Sequence, residues 1–198
     1  SPEGIGGTTD KGEDMGVSAN RLLEGIRVVD LGTGMAAAIA AKLLADMGAA
    51  VTRIEPEGGD PFTAMSPAYA VLRRGESTGS SAGLDALLAD ADACIVGGED
   101  HPDLPERGDA AAIAAAHPRL VLLDIAGGPA GTVYAGPATE LLAQVRSGIV
   151  WEQVPDRPIV NTFEPATYGA AFQGVIGLLG ALMEREASGQ GQVVSTSL

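Results

Sequence analysis

The sequence predicts an α/β fold: a doubly wound, mostly parallel sheet with helices on its faces. Two patterns and one magnitude lead there. Short apolar runs alternate with alanine-rich or amphipathic stretches from residue 26 to the end of the chain. Strands separated by helices need crossover connections, which favour parallel pairing. With 198 residues, 45% hydrophobic and 19% charged, the chain can bury a core of one domain or slightly more.

Each element has a local reason. Ile26 to Leu31 is a short apolar run ended by glycine, so it reads as a buried strand. Met35 to Met47 is alanine-rich and closed by Gly48, as a helix would be. Val51 to Ile54 is a second strand, stopped by Pro56 and the Gly58-Gly59 turn. Residues 56–82 are rich in Pro, Ser and Gly and are expected to be irregular. Leu84 to Ala91 reads as helix and Ala93 to Val96 as a third strand. Asp109 to Ala116 reads as helix and Leu120 to Ile125 as a fourth strand. The run from Gly127 to Gly131 breaks the chain; Ala138 to Arg146 is an amphipathic helix; a loop then carries Trp151. Pro165 opens a long apolar helix that ends in Glu184-Arg185-Glu186, and Gln192 to Ser197 closes the chain as a strand.

Composition narrows the function. Acids outnumber bases 26 to 12, a net charge of −14. That disfavours nucleic acid and anionic membranes, which reward clustered Lys and Arg. The single Cys94 excludes an internal disulfide framework and fits a reducing, cytoplasmic setting. Residues 1–22 are polar and Gly-rich, with neither a basic start nor an apolar run. They are expected to form a flexible tail rather than a signal peptide, ahead of a domain over residues 23–198. The apolar run Ala166 to Met183 approaches the length of a membrane span. Its glycines and alanines suit a helix packed tightly inside a soluble domain, and a buried helix is the expectation.

The stretch VVDLGTGMAA, Val28 to Ala37, admits three chemistries. Gly32-x-Gly34-x-x-Ala37 follows a strand and opens a helix, with Glu55 near the place of a ribose-binding acid, which is a nicotinamide (NAD) pattern. Any tight strand-to-helix turn favours glycine too. Asp30-Leu31-Gly32-Thr33-Gly34 resembles the first motif of methyltransferases that use S-adenosylmethionine (SAM), although Ala36 stands where that pattern has a further glycine.

The third reading draws on the whole chain. Leu23-Glu24-Gly25-Ile26-Arg27-Val28-Val29-Asp30-Leu31 resembles the start of the class III CoA-transferases. That family includes formyl-CoA transferase, carnitine CoA-transferase and alpha-methylacyl-CoA racemase. Leu43 to Ala49 followed by Val51 to Pro56 resembles its second element, and His117-Pro118-Arg119-Leu120 its "NPRL" strand. Leu141-Leu142-Ala143-Gln144 with Ser147-Gly148 resembles its next helix. Ile176 to Leu182 followed by Glu184 to Gln192 resembles its "ALLERERTGRGQ" signature, and Ser195 to Leu198 falls where it writes "DVSL". These matches keep the family's order over residues 23–198.

The resemblance implies a doubly wound Rossmann-like sheet of the class III CoA-transferase type, with coenzyme A or an acyl-CoA as ligand. It makes the opening glycines a turn, so that no dinucleotide is expected at Gly32 to Ala37. It implies a catalytic carboxylate. In the transferases an aspartate attacks the acyl-CoA thioester; in the racemases the equivalent acid carries a proton. Counting back from Ile176-Gly177-Leu178-Leu179, that position holds Thr167, and a threonine needs a base before it can act as a nucleophile. Glu164, three residues earlier, is the candidate substitute; its structural reading is support of a helix end beside Pro165. The "NRGKRS" segment survives only in part as Arg73-Arg74-Gly75-Glu76-Ser77, and Arg73 and Arg74 are the candidate phosphate-binding pair. The family's "VENF" is Val96-Gly97-Gly98-Glu99. Members are longer, with a second half that completes the first, and their subunits interlock in pairs.

The expectation is therefore a class III CoA-transferase-like domain, catalytically degenerate on its own, acting as a structural or binding half. A homo-oligomer or a second CoA-transferase-like domain is the implied partner. The alternatives are an active transferase or racemase whose acid comes from Glu164 or from a partner domain, and an NAD- or SAM-binding enzyme. His101, between acids and Pro102, reads as solvated; His117 as a helix-end cation; Cys94 as a buried apolar residue. No His or Cys spacing suggests a metal.

Overall fold

The computed structural model describes residues 21–198, apart from residues 57, 66, 102–108, 129–136 and 155. The tail expected over residues 1–22 thus falls almost wholly outside the described residues, as does the break beyond Gly128.

Six strands form one sheet in the order β3-β2-β1-β4-β5-β6, and every pair is parallel. They are β1 (Arg27–Asp30), β2 (Ala50–Ile54), β3 (Ser77–Gly79), β4 (Ala93–Gly97), β5 (Val121–Ala126) and β6 (Val193–Ser197). The helices are α1 (Gly34–Asp46), α2 (Phe62–Met65), α3 (Pro67–Leu72), α4 (Leu84–Asp90), α5 (Ala110–Ala116), α6 (Glu140–Ser147), α7 (Ile149–Glu152) and α8 (Pro165–Ser188). Chain order runs outward from β1 to β3 and then restarts at β4 on the other side of β1. The reversal opens a crevice beyond the carboxyl ends of β1 and β4, where doubly wound folds place their ligands.

Alternation along the strands separates two cores. Val28, Val51, Ile95, Leu123 and Ile125 face α1 and α8. Val29, Cys94, Val96 and Leu122 face α4 and α5. Central strands buried on both faces explain why β4 and β5 are nearly continuous apolar runs. Small residues bring α8 down onto the sheet: a Cβ at Gly174 would lie 2.8 Å from Leu123 Cδ1, and one at Gly177 would lie 2.6 Å from Val194 Cγ1.

Three expectations need correction. Residues 56–82 are not irregular: they hold α2, α3, β3 and a 3-10 turn over Ser81–Gly83. These elements are too short to show a period. Trp151 lies on the short helix α7, not in a loop, and is exposed. Finally, α8 buries one face only. Thr167, Ala171, Val175, Leu178 and Leu182 point inward, while Ile176 is 70% and Met183 is 76% exposed. Length and composition alone would let α8 cross a membrane. Here it is a layer of the α/β domain, packed on α1, β5 and β6. Its last turns are pinned by Arg185, which donates to the Asp92 carboxylate and the Asp92 carbonyl, each at 3.0 Å.

Candidate functional site

The turn from β1 into α1 and the turn after β4 meet at the crevice. Thr33 and Gly98 pair across it in a parallel bridge. Gly98 has φ 112°, and a Cβ there would overlap the Thr33 carbonyl oxygen. Gly32 has a similar reason: its missing Cβ would overlap that of Ala37. The glycines of the opening motif are thus explained by contacts within the chain.

Glu99 lies at the centre of this junction. Its N–H donates to the Thr33 carbonyl at 3.2 Å, and the Thr33 hydroxyl donates to its carbonyl at 2.7 Å. The side chain turns over the first turn of α1, where Met35 N–H donates to Oε2 at 2.6 Å. Glu140, first residue of α6, lies close to the same carboxyl. Only 8% of Glu99 is exposed. Burial pushes its carboxyl up to about 7; the Met35 amide opposes this, and the charges of Glu164 and Glu140 add to it.

Glu140 in turn holds the start of α8. Its Oε2 accepts from Thr167 N–H at 2.7 Å and its Oε1 from Ala166 N–H at 3.3 Å and Gln144 Nε2 at 2.8 Å. Gln144 continues the chain of contacts to the Asn161 backbone, donating to its carbonyl at 2.9 Å and accepting from its N–H at 2.7 Å. The N-termini of α1 and α8 are therefore each met by a buried carboxylate, Glu99 and Glu140.

Thr167 is fully buried, and its hydroxyl oxygen has no hydrogen-bond partner. Glu164 is the residue before α8 and is half-buried. Its backbone sits at φ 58°, the left-handed region that a non-glycine residue enters at a cost. Its side chain makes no cap on α8; that task falls to Glu140. Burial and the neighbouring Glu140 raise its carboxyl above the ordinary value.

The fold separates the two arginines expected as a pair. Arg74 is exposed, whereas the Arg73 side chain is 10% exposed and pairs with Asp30 and, at 3.3 Å, with Glu76. Arg73 Nη2 also donates to the Tyr69 hydroxyl at 2.7 Å, and its guanidinium lies 4.9 Å from the ring centre. Tyr69 donates to Asp60, which also pairs with Arg53. This buried network ties the ends of β1 and β2 to α3. Sequence reasoning did not find it. The signals were an arginine inside a strand, Arg53, and an Asp-Pro step at Asp60, whose carboxylate accepts from Phe62 N–H at 2.9 Å.

The remaining candidates lie apart. Glu55, the candidate ribose acid, stands after β2, half-exposed, 3.7 Å from Arg53. His101 is half-buried rather than fully solvated, with its ring 5.5 Å from that of Phe62. His117 ends α5, with Nε2 3.4 Å from Asp85. Cys94 is buried mid-strand, and burial raises its thiol well above the ordinary value. Among the described residues no three His, Cys, Asp or Glu side chains are grouped to hold a metal ion.

The strand order and the parallel pairing define a doubly wound α/β protein. A family model described as CoA-transferase family III matches residues 23–198, and the chain belongs to that family. It is 30% identical to the (R)-2-hydroxy-4-methylpentanoate CoA-transferase of Clostridioides difficile, over 89% of this chain and 50% of that protein. It is 29% identical to the CoA-transferase/lyase DddD of Marinomonas sp. (strain MWYL1), over 89% of this chain and 23% of that one. The chain thus spans half or less of the curated relatives it matches. Among solved structures, a CAIB/BAIF family protein from Brucella suis aligns with a TM-score of 0.74 at 24% identity, over 88% of this chain and 52% of that one. The hypothetical protein Rv3272 from Mycobacterium tuberculosis aligns with a TM-score of 0.73 at 23% identity, over 89% and 54%. These two likenesses support the fold.

Proposed function

We propose that residues 23–198 form a binding or structural half of a protein of acyl-CoA metabolism, one that does not carry out CoA transfer by itself. The observation that carries this reading is Thr167. At the position where the family resemblance expects the acid, the side chain is a fully buried hydroxyl, and the nearest carboxylate, Glu140, is spent on the amides that start α8. A hydroxyl with no base hydrogen-bonded to it is a poor nucleophile at neutral pH. The expected ligand is coenzyme A or an acyl-CoA, received in the crevice between β1 and β4. Arg74 is the free base of the former pair and is assigned to a phosphate of that ligand.

The partner we assign is a second copy of the chain or a second CoA-transferase-like domain. It would cover the exposed apolar stripe formed by Leu141 and Val145 on α6 and by Tyr168, Phe172 and Ile176 on α8. A cytoplasmic setting accords with the single reduced cysteine. Calorimetric titration of the purified chain with coenzyme A tests the reading. Saturable binding that weakens in Arg74→Ala is expected; no binding of coenzyme A or of any acyl-CoA would remove the ligand assignment.

One observation favours a second reading. Glu164 is held in a strained backbone conformation at the edge of the site, and strain of that kind collects at functional positions. In that case Glu164 supplies the acid, and a covalent adduct would be found on it.

A further inference from the structure

Four glycines interrupt α8, and the fold explains two of them. A Cβ at Gly174 or Gly177 would run into Leu123 or Val194 of the sheet. At Gly169 and Gly180 it would meet nothing within 4 Å. Glycine weakens a helix interior, so packing inside the chain gives no reason for those two. They share a face with three large apolar residues. At about 100° per residue, Gly169, Phe172, Gly180 and Met183 all lie within about 40° of Ile176 around the helix. On that face Phe172 is 47%, Ile176 70% and Met183 76% exposed, and no residue from Pro165 to Met183 carries a charge. The outer face of a surface helix is ordinarily polar.

The order along this seam is small, large, large, small, large, and reversing it about Ile176 gives its own complement. We propose that a second copy of the chain covers the seam, with the two α8 helices antiparallel about a two-fold axis at Ile176. Phe172 then lies against Gly180 of the partner subunit, Met183 against the partner's Gly169, and Ile176 against the partner's Ile176. Each of Phe172 and Met183 meets a position without a side chain, and the glycines let the helix axes come close. A domain of another sequence would give α8 no reason to mirror itself. The pairing rests on the partner assignment above and is independent of the ligand. Charge favours the same arrangement. The carboxylates bordering the seam are Glu164 before it and Glu184 and Glu186 after it. In a chain of net charge −14, a parallel pair would set each of them beside its own copy. The antiparallel pair sets Glu184 opposite the partner's Tyr168, Glu186 opposite the partner's Ala166 and Glu164 opposite the partner's Ser188. It also places each helix start beside the other's end, which suits the two dipoles. One helix seam, flanked by Leu141 and Val145 of α6, is a small interface, so a weak dimer is expected.

The test uses the full chain. Sedimentation equilibrium over a wide concentration range should show the wild type reaching a dimer. Gly180→Leu should associate at least about tenfold more weakly, because the partner's Phe172 has no room left. It should melt no lower than the wild type, since the new side chain meets nothing in its own chain. The direction of pairing is read by disulfide formation under mild oxidation; Cys94 is 0% exposed and does not compete. Gly169→Cys and Met183→Cys chains should cross-link when mixed but not when each is oxidised alone, because like positions on the two helices are about 21 Å apart. A folded Gly180→Leu chain that dimerises like the wild type, a mixture that forms no cross-link, or a cysteine chain that cross-links with itself overturns the proposal. The pairing and the partner assignment fail differently. Loss of association in Ile176→Lys without the mixed disulfide keeps the stripe as a partner surface and removes the antiparallel pair. A wild type that stays monomeric at every concentration removes the second copy and leaves a second domain as the partner.

Discussion

Glu99 makes the stability of the fold sensitive to pH near neutrality. Its carboxyl is raised from 4.5 to about 7 in the folded chain. The contribution is fully present below the unfolded value and is lost as pH rises through the folded one. At about 1.36 kcal/mol per pH unit, the displacement corresponds to about 3 kcal/mol. Urea unfolding should therefore show stability falling between about pH 4.5 and pH 7, and Glu99→Gln should flatten that decline. A profile unchanged by the substitution would place the proton elsewhere. A second residue-scale expectation concerns Tyr69, whose hydroxyl links Arg73 to Asp60. Tyr69→Phe should cost about 1–3 kcal/mol by leaving buried charged partners short of a bond, measurable as a lower urea midpoint. That Thr167 lies in the first turn of α8 was legible in the sequence, because Pro165 opens that helix. Glu99 and the network of Asp30, Arg73, Tyr69, Asp60 and Arg53 were not. Their partners lie far off in the chain, and only strand pairing and helix docking bring them together.

The elements with the strongest periods were the most legible. The spans expected for α1, α4, α5 and α8 and for β1, β2, β4, β5 and β6 agree with the structure to within a few residues at each end, because alanine-rich stretches and apolar runs bounded by glycine leave little choice. β3 was missed: its sequence, Ser-Thr-Gly, has no apolar signature, and it becomes a strand by pairing with β2 at the sheet edge. The length of α8 was clear but not which face it would bury, since both faces are rich in apolar residues. Its start depends on Glu140, a side chain from another helix. Glu140→Ala should cost about 1–2 kcal/mol as a lost cap, read in thermal unfolding. It should also lower the Glu99 midpoint, because one of the charges that raises it is gone. At the other end, Gly191 lies against the backbone of Leu120, and a Cβ there would overlap the Leu120 carbonyl oxygen. Gly191→Ala should destabilise by about 1–3 kcal/mol through forced backbone movement, and a neutral result would show that the α8–β6 connection is more yielding than its contacts suggest.

At the scale of the molecule, the chain is an acidic α/β domain that spans half or less of its curated relatives and leaves an apolar stripe exposed on α6 and α8. Substituting within that stripe should leave folding nearly unchanged, within about 0.5 kcal/mol, because Ile176 is 70% exposed. Sedimentation velocity should then show Ile176→Lys less associated than the wild type, and equal association would remove the stripe from the partner surface. The central claim is that the chain keeps the fold of its family without a carboxylate able to react. Intact and peptide mass spectrometry, after incubation with several acyl-CoA donors and trapping with hydroxylamine, tests it most directly. The account predicts an unmodified chain, and transfer activity in Thr167→Asp only when a full-length partner is present. A trapped adduct on Glu164, or on any other carboxylate of the wild-type chain, would contradict it.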